Sequence, residues 1–286
     1  MLTIPKDDTF INQSAVSDRI VHHSLYQYLY RLWDKTFIDD SYSCRLNKGT
    51  HKGVLRLSKF ARKISKNYTN TCFVLKCDIK KFFDSVDHQI LLGLLETKIQ
   101  DSGILRLFAG IVNSFHSKVG CGKGIPLGNL TSQIFANIYL NGLDQFIKHK
   151  LRVKYYIRYA DDFILLSSDR KYLSKLIPKI DDFLKKRLKL SLHLGKTKIR
   201  KLSWGIDFLG YRILPYVVLP STKTKQRIFR KVRVKLENLK SNKLSDFSFS
   251  QTIQSYLGYF SHASAYKLSR KIKELEFLRK GNQAII

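Results

Sequence analysis

The chain has 286 residues and carries 52 Lys and Arg against 22 Asp and Glu, a formal charge of +30. Hydrophobic residues make up 44% and aromatics 12%, with 15 Gly and 5 Pro, which excludes a collagen-like, low-complexity or disordered chain and allows one large or two modest domains. A chain so basic repels itself unless a polyanion is near, and nucleic acid is the partner whose phosphates give affinity by counterion release.

In chain order, Met1 to Asp7 lacks the long apolar core of a signal peptide. Residues 17–37 read as a helix, with Ser17 or Asp18 at its N-cap and Leu25, Leu29, Leu32 and Trp33 at helical spacing. A loop from Asp40 to Gly49 leads into a second helix through Val54, Leu57, Phe60 and Ile64. Thr71 to Asp78 alternates as a strand does, with Phe73, Leu75 and Cys77 on one face. Two amphipathic helices follow, one through Ile90, Leu91, Leu94, Leu95 and Ile99, the other from Ile104 to Phe115. Gly120 to Gly128 is a glycine-punctuated loop, and Thr131 or Ser132 is expected to cap a long helix reaching Ile147. The stretch Ile125 to Leu143 is the longest without charge, but its three Asn, Gln, Ser and Thr exclude a transmembrane helix.

Tyr155 to Ala160 and Phe163 to Leu166 are β-rich runs flanking Asp161-Asp162, which predicts a hairpin with the two aspartates at its tip. A basic helix over 171–189 and short strands near Leu192 and Phe208–Ile213 come next. Pro215 and Pro220 are the best boundary before a helical, strongly basic end that begins at Thr222. Residues 171–201 hold eleven basic residues against Asp181 and Asp182. Residues 222–240 hold eight (Lys223, Lys225, Arg227, Arg230, Lys231, Arg233, Lys235 and Lys240) against one Glu. No segment pairs a large basic face with a clean apolar one, so a membrane surface is not the expected partner. The four Cys lack C-x-x-C spacing, which predicts reduced thiols, a cytoplasmic setting and no zinc site.

Two adjacent carboxylates at the tip of an apolar hairpin repel unless a cation lies between them. Mg2+ takes oxygen ligands, commonly one or two carboxylates together with substrate phosphates, and Asp78 at the end of another strand could complete such a site. A bare Asp-Asp pair is more often turn chemistry; here the surrounding residues tip the balance the other way.

Those residues resemble a known family. Tyr159-Ala160-Asp161-Asp162 resembles the Y-x-D-D box of reverse transcriptases, and Cys77 to Asp84 resembles their first catalytic box with Asp78 as its aspartate. Asp18 to His23, Asp40 to Arg45 and Gly49-Thr50-His51 are similar to finger segments of retron- and group-II-intron-type enzymes. Gly195 to Lys198 and Phe208 to Tyr211 fit the two boxes that follow Y-x-D-D. The resemblance implies an α/β (α+β) right-hand polymerase: fingers in 1–70, an antiparallel-sheet palm in 71–214 with interleaved finger helices at about 88–123, and a basic helical thumb in 215–286. The activity it implies is RNA-directed DNA polymerisation.

On the family's pattern, Asp78 and Asp161 bridge two Mg2+ ions, or Mn2+ in their place, while Asp162 assists and Ile79 lends a backbone carbonyl. Phe82 and Phe83 adjoin the dNTP, with Phe83 as the ring that excludes a ribose 2′-hydroxyl. Lys196 or Lys198 is the lysine that protonates pyrophosphate. Tyr159 and the thumb residues Lys223, Lys225, Arg227, Arg230 and Lys231 contact template RNA and the RNA/cDNA duplex. Only Met1 to Ser17 precede Asp18, with Lys6 the sole basic residue, so on the family's pattern either the start is shortened or Arg19, Arg45 or Lys48 is expected to replace the N-terminal grip on the triphosphate.

Ile125 to Gln133 corresponds to the box beneath the nascent pair. Leu127, Gly128 and Gln133 stand where most of the family has Q-G and a terminal Pro. The aliphatic-G-x-x-x-S-Q form resembles diversity-generating retroelement enzymes, whose cDNA carries errors at template adenines and whose partner is a small basic pentameric accessory protein. Leu127 offers shape where Gln offers hydrogen bonds, which weakens mispair rejection. The alternatives are another bacterial reverse transcriptase (retron, group-II-intron-like or phage-defence) or a weakly catalytic RNA-binding subunit.

Overall fold

The computed structural model describes residues 2–6, 9–13, 16–115, 117, 120–126 and 128–281, with side chains between Asp18 and Phe277. Two compact units result: Met1–Ile64 with Cys72–Arg200, and Ser65–Thr71 with Lys201–Ile286.

The first unit opens with an antiparallel hairpin of β1 (Leu2–Lys6) and β2 (Thr9–Gln13), which no pattern in the sequence announces. The helices α1 (Val16–Trp33) and α2 (Thr50–Ile64) follow close to their expected places. Its central sheet contains β3 (Phe73–Asp78), β4 (Tyr156–Tyr159), β5 (Asp162–Ser167) and β6 (Lys198–Lys201) in the order β4-β5-β3-β6. Leu75 pairs with Leu165 and Cys77 with Phe163, so these four face the same side, where they join one core. That core is filled by α4 (His88–Glu96), α5 (Ser102–Asn113), α6 (Leu130–Gln145) and α7 (Arg170–Leu188). On the opposite face α2 packs over β4 and β5. Strand β5 is buried along its middle on both faces, as a central strand between two layers of helices must be.

Two local expectations shift. Helix α6 is capped at Asn129 rather than at Thr131 or Ser132; both lie inside its first turn, and the Thr131 hydroxyl meets His22 Nδ1 at 2.9 Å. The hairpin turn is Ala160-Asp161, with Asp162 already the first residue of β5. Ala160 takes the positive φ of the turn (51°), a conformation that costs an L-residue about 1–2 kcal/mol and that sequence reasoning would assign to Gly, Asn or Asp.

The second unit joins the sheet β7 (Ile206–Phe208), β8 (Tyr211–Leu214) and β9 (Val217–Pro220) to α8 (Thr222–Lys240), α9 (Asp246–Phe260) and α10 (Tyr266–Gly281). The division therefore falls at 200/201, not at Pro215, and Ser65–Thr71 belongs with this unit. Pro220 is paired with Tyr211 on the edge strand β9, where a missing N–H is harmless. Tyr211 donates to the Tyr259 carbonyl (3.1 Å) and Tyr259 to that of Gly210 (2.7 Å), tying sheet to helix. Ile228, Val232, Phe249, Ile253, Phe260 and Ile272 form the helical core. Among the described residues no helix is long and apolar enough to cross a membrane.

Candidate active site

Asp78 and Asp162 are directly opposite across β3 and β5, and Asp161 lies in the adjoining turn. His193 N–H donates to the Asp78 carbonyl (2.8 Å) and Lys80 N–H to that of Ser191 (3.0 Å), so the backbone bonds of Asp78 point away from β5. The Asp78–Asp162 pair is thus non-hydrogen-bonded, the kind that brings Cα atoms to about 4.5 Å and side chains together. Carbonyls alternate along a strand, so that of Ile79, next in line, is directed to the β5 side, toward the Asp161 turn. The three carboxylates expected from sequence converge.

Two lysines neutralise them in part. Lys76, two residues before Asp78 on the same face, reaches Asp162 Oδ2 at 3.0 Å, and Lys196 reaches Asp78 Oδ2 at 3.0 Å. Between the two loop lysines, then, Lys196 meets the carboxylates, while Lys198 is exposed on β6. Burial, then the neighbouring Asp78 and Asp162, push the Asp161 carboxyl up to about 6. Burial also raises Asp162, partly offset by Lys76.

Among the described residues no cluster of three or more His, Cys, Asp or Glu is arranged as a ready-made ion cage. The donor chemistry nonetheless fits a divalent cation. All the oxygens are hard ones, Asp162 Oδ1 is buried without a hydrogen-bond partner, and Asp161 loses its charge more readily than an ordinary aspartate.

The aromatic pair divides. Lys81 at φ 45° starts the short helix α3 (Phe82–Ser85) and turns Phe82 into the core, 1% exposed and edge-on to Tyr139. Phe82 is therefore a packing residue, contrary to its expected contact with dNTP. Phe83 is half-buried at the surface, its carbonyl accepting from Ile125 N–H (2.8 Å), which sets it beside the loop leading to Gly128. Gly128 is exposed and Leu127 lies outside the described residues. Gln133 is half-buried, its side-chain oxygen accepting from the Cys44 thiol at 2.7 Å. Tyr159 is paired with Asp162 and lies 3.5 Å from the Thr50 hydroxyl.

One expected phosphate ligand is spent inside the fold. Arg45, its side chain 8% exposed, bonds Asp34 (2.7 Å) and the carbonyls of Ile38, Ser41 and Asp34, which makes it structural. Lys48 pairs with the exposed Asp39 and lies over Tyr42. Arg19 is exposed on α1, as are Lys223, Arg227, Arg230 and Lys231 on α8, where Lys225 is half-buried.

Sequence reasoning missed the residues beneath the turn. Arg158 is fully buried and grips Asp144 with two bonds (Nε–Oδ1 2.8 Å, Nη2–Oδ2 2.6 Å), while Tyr156 donates to the same carboxylate (2.6 Å). Burial opposes the Arg158 charge, but Asp144 outweighs it and the pKa rises.

Residues 4–213 match the reverse transcriptase (RNA-dependent DNA polymerase) family, and the chain belongs to it. It is 25% identical to Protein YkfC of Escherichia coli (strain K12), over 70% of this chain and 61% of that protein. It is 24% identical to the putative COX1/OXI3 intron 2 protein of Saccharomyces cerevisiae (75% and 31%), and 23% identical to the group II intron-encoded protein LtrA of Lactococcus lactis subsp. cremoris (69% and 43%). The chain spans between about a third and three fifths of the length of these relatives. Apo telomerase from Candida tropicalis shares the polymerase right-hand fold, with a TM-score of 0.55 at 15% identity over 92% of this chain and 50% of that one.

The raised Asp161 pKa has a stability consequence. Between pH about 4 and 6 the folded protein holds a proton that the unfolded chain releases, so this group's penalty grows as pH rises through that window and is complete above it. In cation-free buffer, Asp161→Asn is expected to stabilise the protein at pH 7 by roughly 1–3 kcal/mol and to have a much smaller effect near pH 4. Urea unfolding at both pH values tests it; an equal effect at the two would contradict the electrostatic origin.

Proposed function

We propose that the protein is an RNA-directed DNA polymerase that extends a primer on template RNA from dNTPs. The observation that carries this is the strand register setting Asp78 opposite Asp162 with Asp161 in the next turn. Asp78, Asp161 and the Ile79 carbonyl, assisted by Asp162, are the groups that would hold two Mg2+ ions, or Mn2+ in their place. Bound there, the metal would neutralise the triphosphate and ease deprotonation of the primer 3′-hydroxyl.

In the reaction the 3′-oxygen bonds to the α-phosphorus, the bond to the β-phosphate oxygen breaks, and pyrophosphate leaves. Lys196 keeps a proton at Nζ beside Asp78 and is the residue to give it to the leaving group. On the family's pattern Phe83 is the ring that would exclude a ribose 2′-hydroxyl and so discriminate against rNTPs. Arg19 and the exposed basic face of α8 meet phosphates of the RNA and the RNA/cDNA duplex without reading sequence. A Candida albicans telomerase with the same fold was solved with a fragment of telomeric RNA (TM-score 0.53, 12% identity), in keeping with an RNA ligand.

A narrower reading is favoured by Gln133. Its side-chain oxygen accepts from the Cys44 thiol, which orients the amide. Together with the aliphatic-G-x-x-x-S-Q box this supports low-fidelity synthesis at template adenines in a diversity-generating retroelement, with a small basic pentameric accessory protein as partner.

Asp78→Asn and Asp161→Asn are each expected to lower Mg2+-dependent dNTP incorporation on primed RNA by about 10³-fold or more while RNA affinity stays within about twofold. Incorporation that survives both changes refutes the assignment; a parent that binds RNA but incorporates nothing is the RNA-binding subunit instead. Phe83→Ala is expected to raise rNTP incorporation relative to dNTP by at least about tenfold, and an unchanged ratio in competition assays removes the gate.

A further inference from the structure

We propose that Arg158 is the positioning residue of the Asp161 turn, fixing that carboxylate against Asp78 from beneath; this rests on reading Asp161 as a metal-holding group. Beyond its fork on Asp144, the guanidinium has one nitrogen left. That Nη1 donates to the Ala160 carbonyl (3.1 Å) and to Asn137 Oδ1 (3.2 Å). The Ala160 carbonyl is one end of the peptide that joins Ala160 to Asp161. Holding it sets the plane of that peptide and with it the direction of the Asp161 side chain. The turn needs such a hold, because Ala160 sits at a φ of 51° that nothing in its own side chain favours.

Arg158 is itself immobilised on every side. Its N–H donates to the Asp40 carbonyl (3.0 Å) and its carbonyl accepts from Tyr42 N–H (2.9 Å), while Asn137 also donates to the Ser43 carbonyl (2.8 Å). Helix α6, strand β4 and the segment 40–43 are therefore tied together around one fully buried residue. A buried ion pair is rarely the most stable filling of a core, since apolar side chains of like volume often serve as well. No apolar filling could reach the Ala160 carbonyl. Lysine could not either, having a single point of charge to face both Asp144 and the turn.

The 286-residue chain is tested in two forms: Arg158→Lys, and a triple change Asp144→Leu, Tyr156→Phe, Arg158→Met that replaces the whole network with apolar groups. Leu184→Ala, which opens a cavity elsewhere in the core, reports how far lost stability alone moves catalysis. Both Arg158 variants are expected to bind primed RNA as the parent does and to lose about 10–100-fold in kcat, with KM for dNTP changed less than about threefold, at temperatures well below Tm. Leu184→Ala is expected to keep kcat within about twofold. Should the triple variant fail to fold, Arg158→Lys decides alone. The proposal is overturned if kcat stays within about twofold of the parent, or if Leu184→Ala lowers it as much. Mn2+ binding, followed by electron paramagnetic resonance, separates this from the polymerase reading. A parent that incorporates no dNTP sinks that reading, while Mn2+ affinity falling about tenfold in the Arg158 variants still supports the positioning role and an unchanged affinity removes it.

Discussion

Three like charges held at one end of two paired strands are the constraint around which the first unit is organised. Carboxylates gathered so closely repel one another, and the flanking lysines and the raised Asp161 pKa relieve only part of it. The sheet beneath has to withstand that push without opening. It does so with a strand, β5, whose middle is buried on both faces, and with a register that a one-residue slip would ruin by turning Asp162 into the core. The apolar layers are thus less a generic interior than a clamp on the pair Asp78 and Asp162.

Charge is distributed accordingly. Of the basic residues near the site, Arg45 and Arg158 are consumed by Asp34 and Asp144, and they stiffen the segment 34–45 and the floor under the turn. What remains outward is the surplus on α7, α8 and α10, far larger than folding requires. A net +30 weakens the compact state by self-repulsion, which a bound polyanion would relieve.

Much of this was legible from the residues. The β-rich runs around Asp161-Asp162 and the alternation ending at Asp78 mark the right strands, because strand periodicity is written locally. That Asp78 faces Asp162 is a matter of register between segments more than eighty residues apart, and only the order of boxes shared with a family hinted at it. The turn moved by one residue because Ala160, which has no intrinsic taste for a positive φ, accepts one when Arg158 holds its carbonyl. Arg45 and Lys48 read as free charges because a sequence does not show which carboxylate a cation will find. Phe82 and Phe83 differ by one residue in an apolar run, and it was the left-handed Lys81 that decided which of them went inside. Arg158 and Asp144 gave no signal at all: one follows a strand pattern, the other ends an apolar helix, and their union exists only in three dimensions.

The cations chosen above and below the turn differ in kind, and the difference has a physical use. Lys76 and Lys196 are flexible, partly exposed and joined to Asp162 and Asp78 by single contacts of 3.0 Å, which water and a competing cation can displace at little cost. Arg158 is planar, fully buried and bound by a fork whose rupture would leave Asp144 charged in the core with the Tyr156 hydroxyl as its remaining donor. A lysine below would not span Asp144, Asn137 and the Ala160 carbonyl, and an arginine above would fork its carboxylate as Arg158 forks Asp144. The turn is thereby fixed in place from below while the contacts above it stay open to exchange.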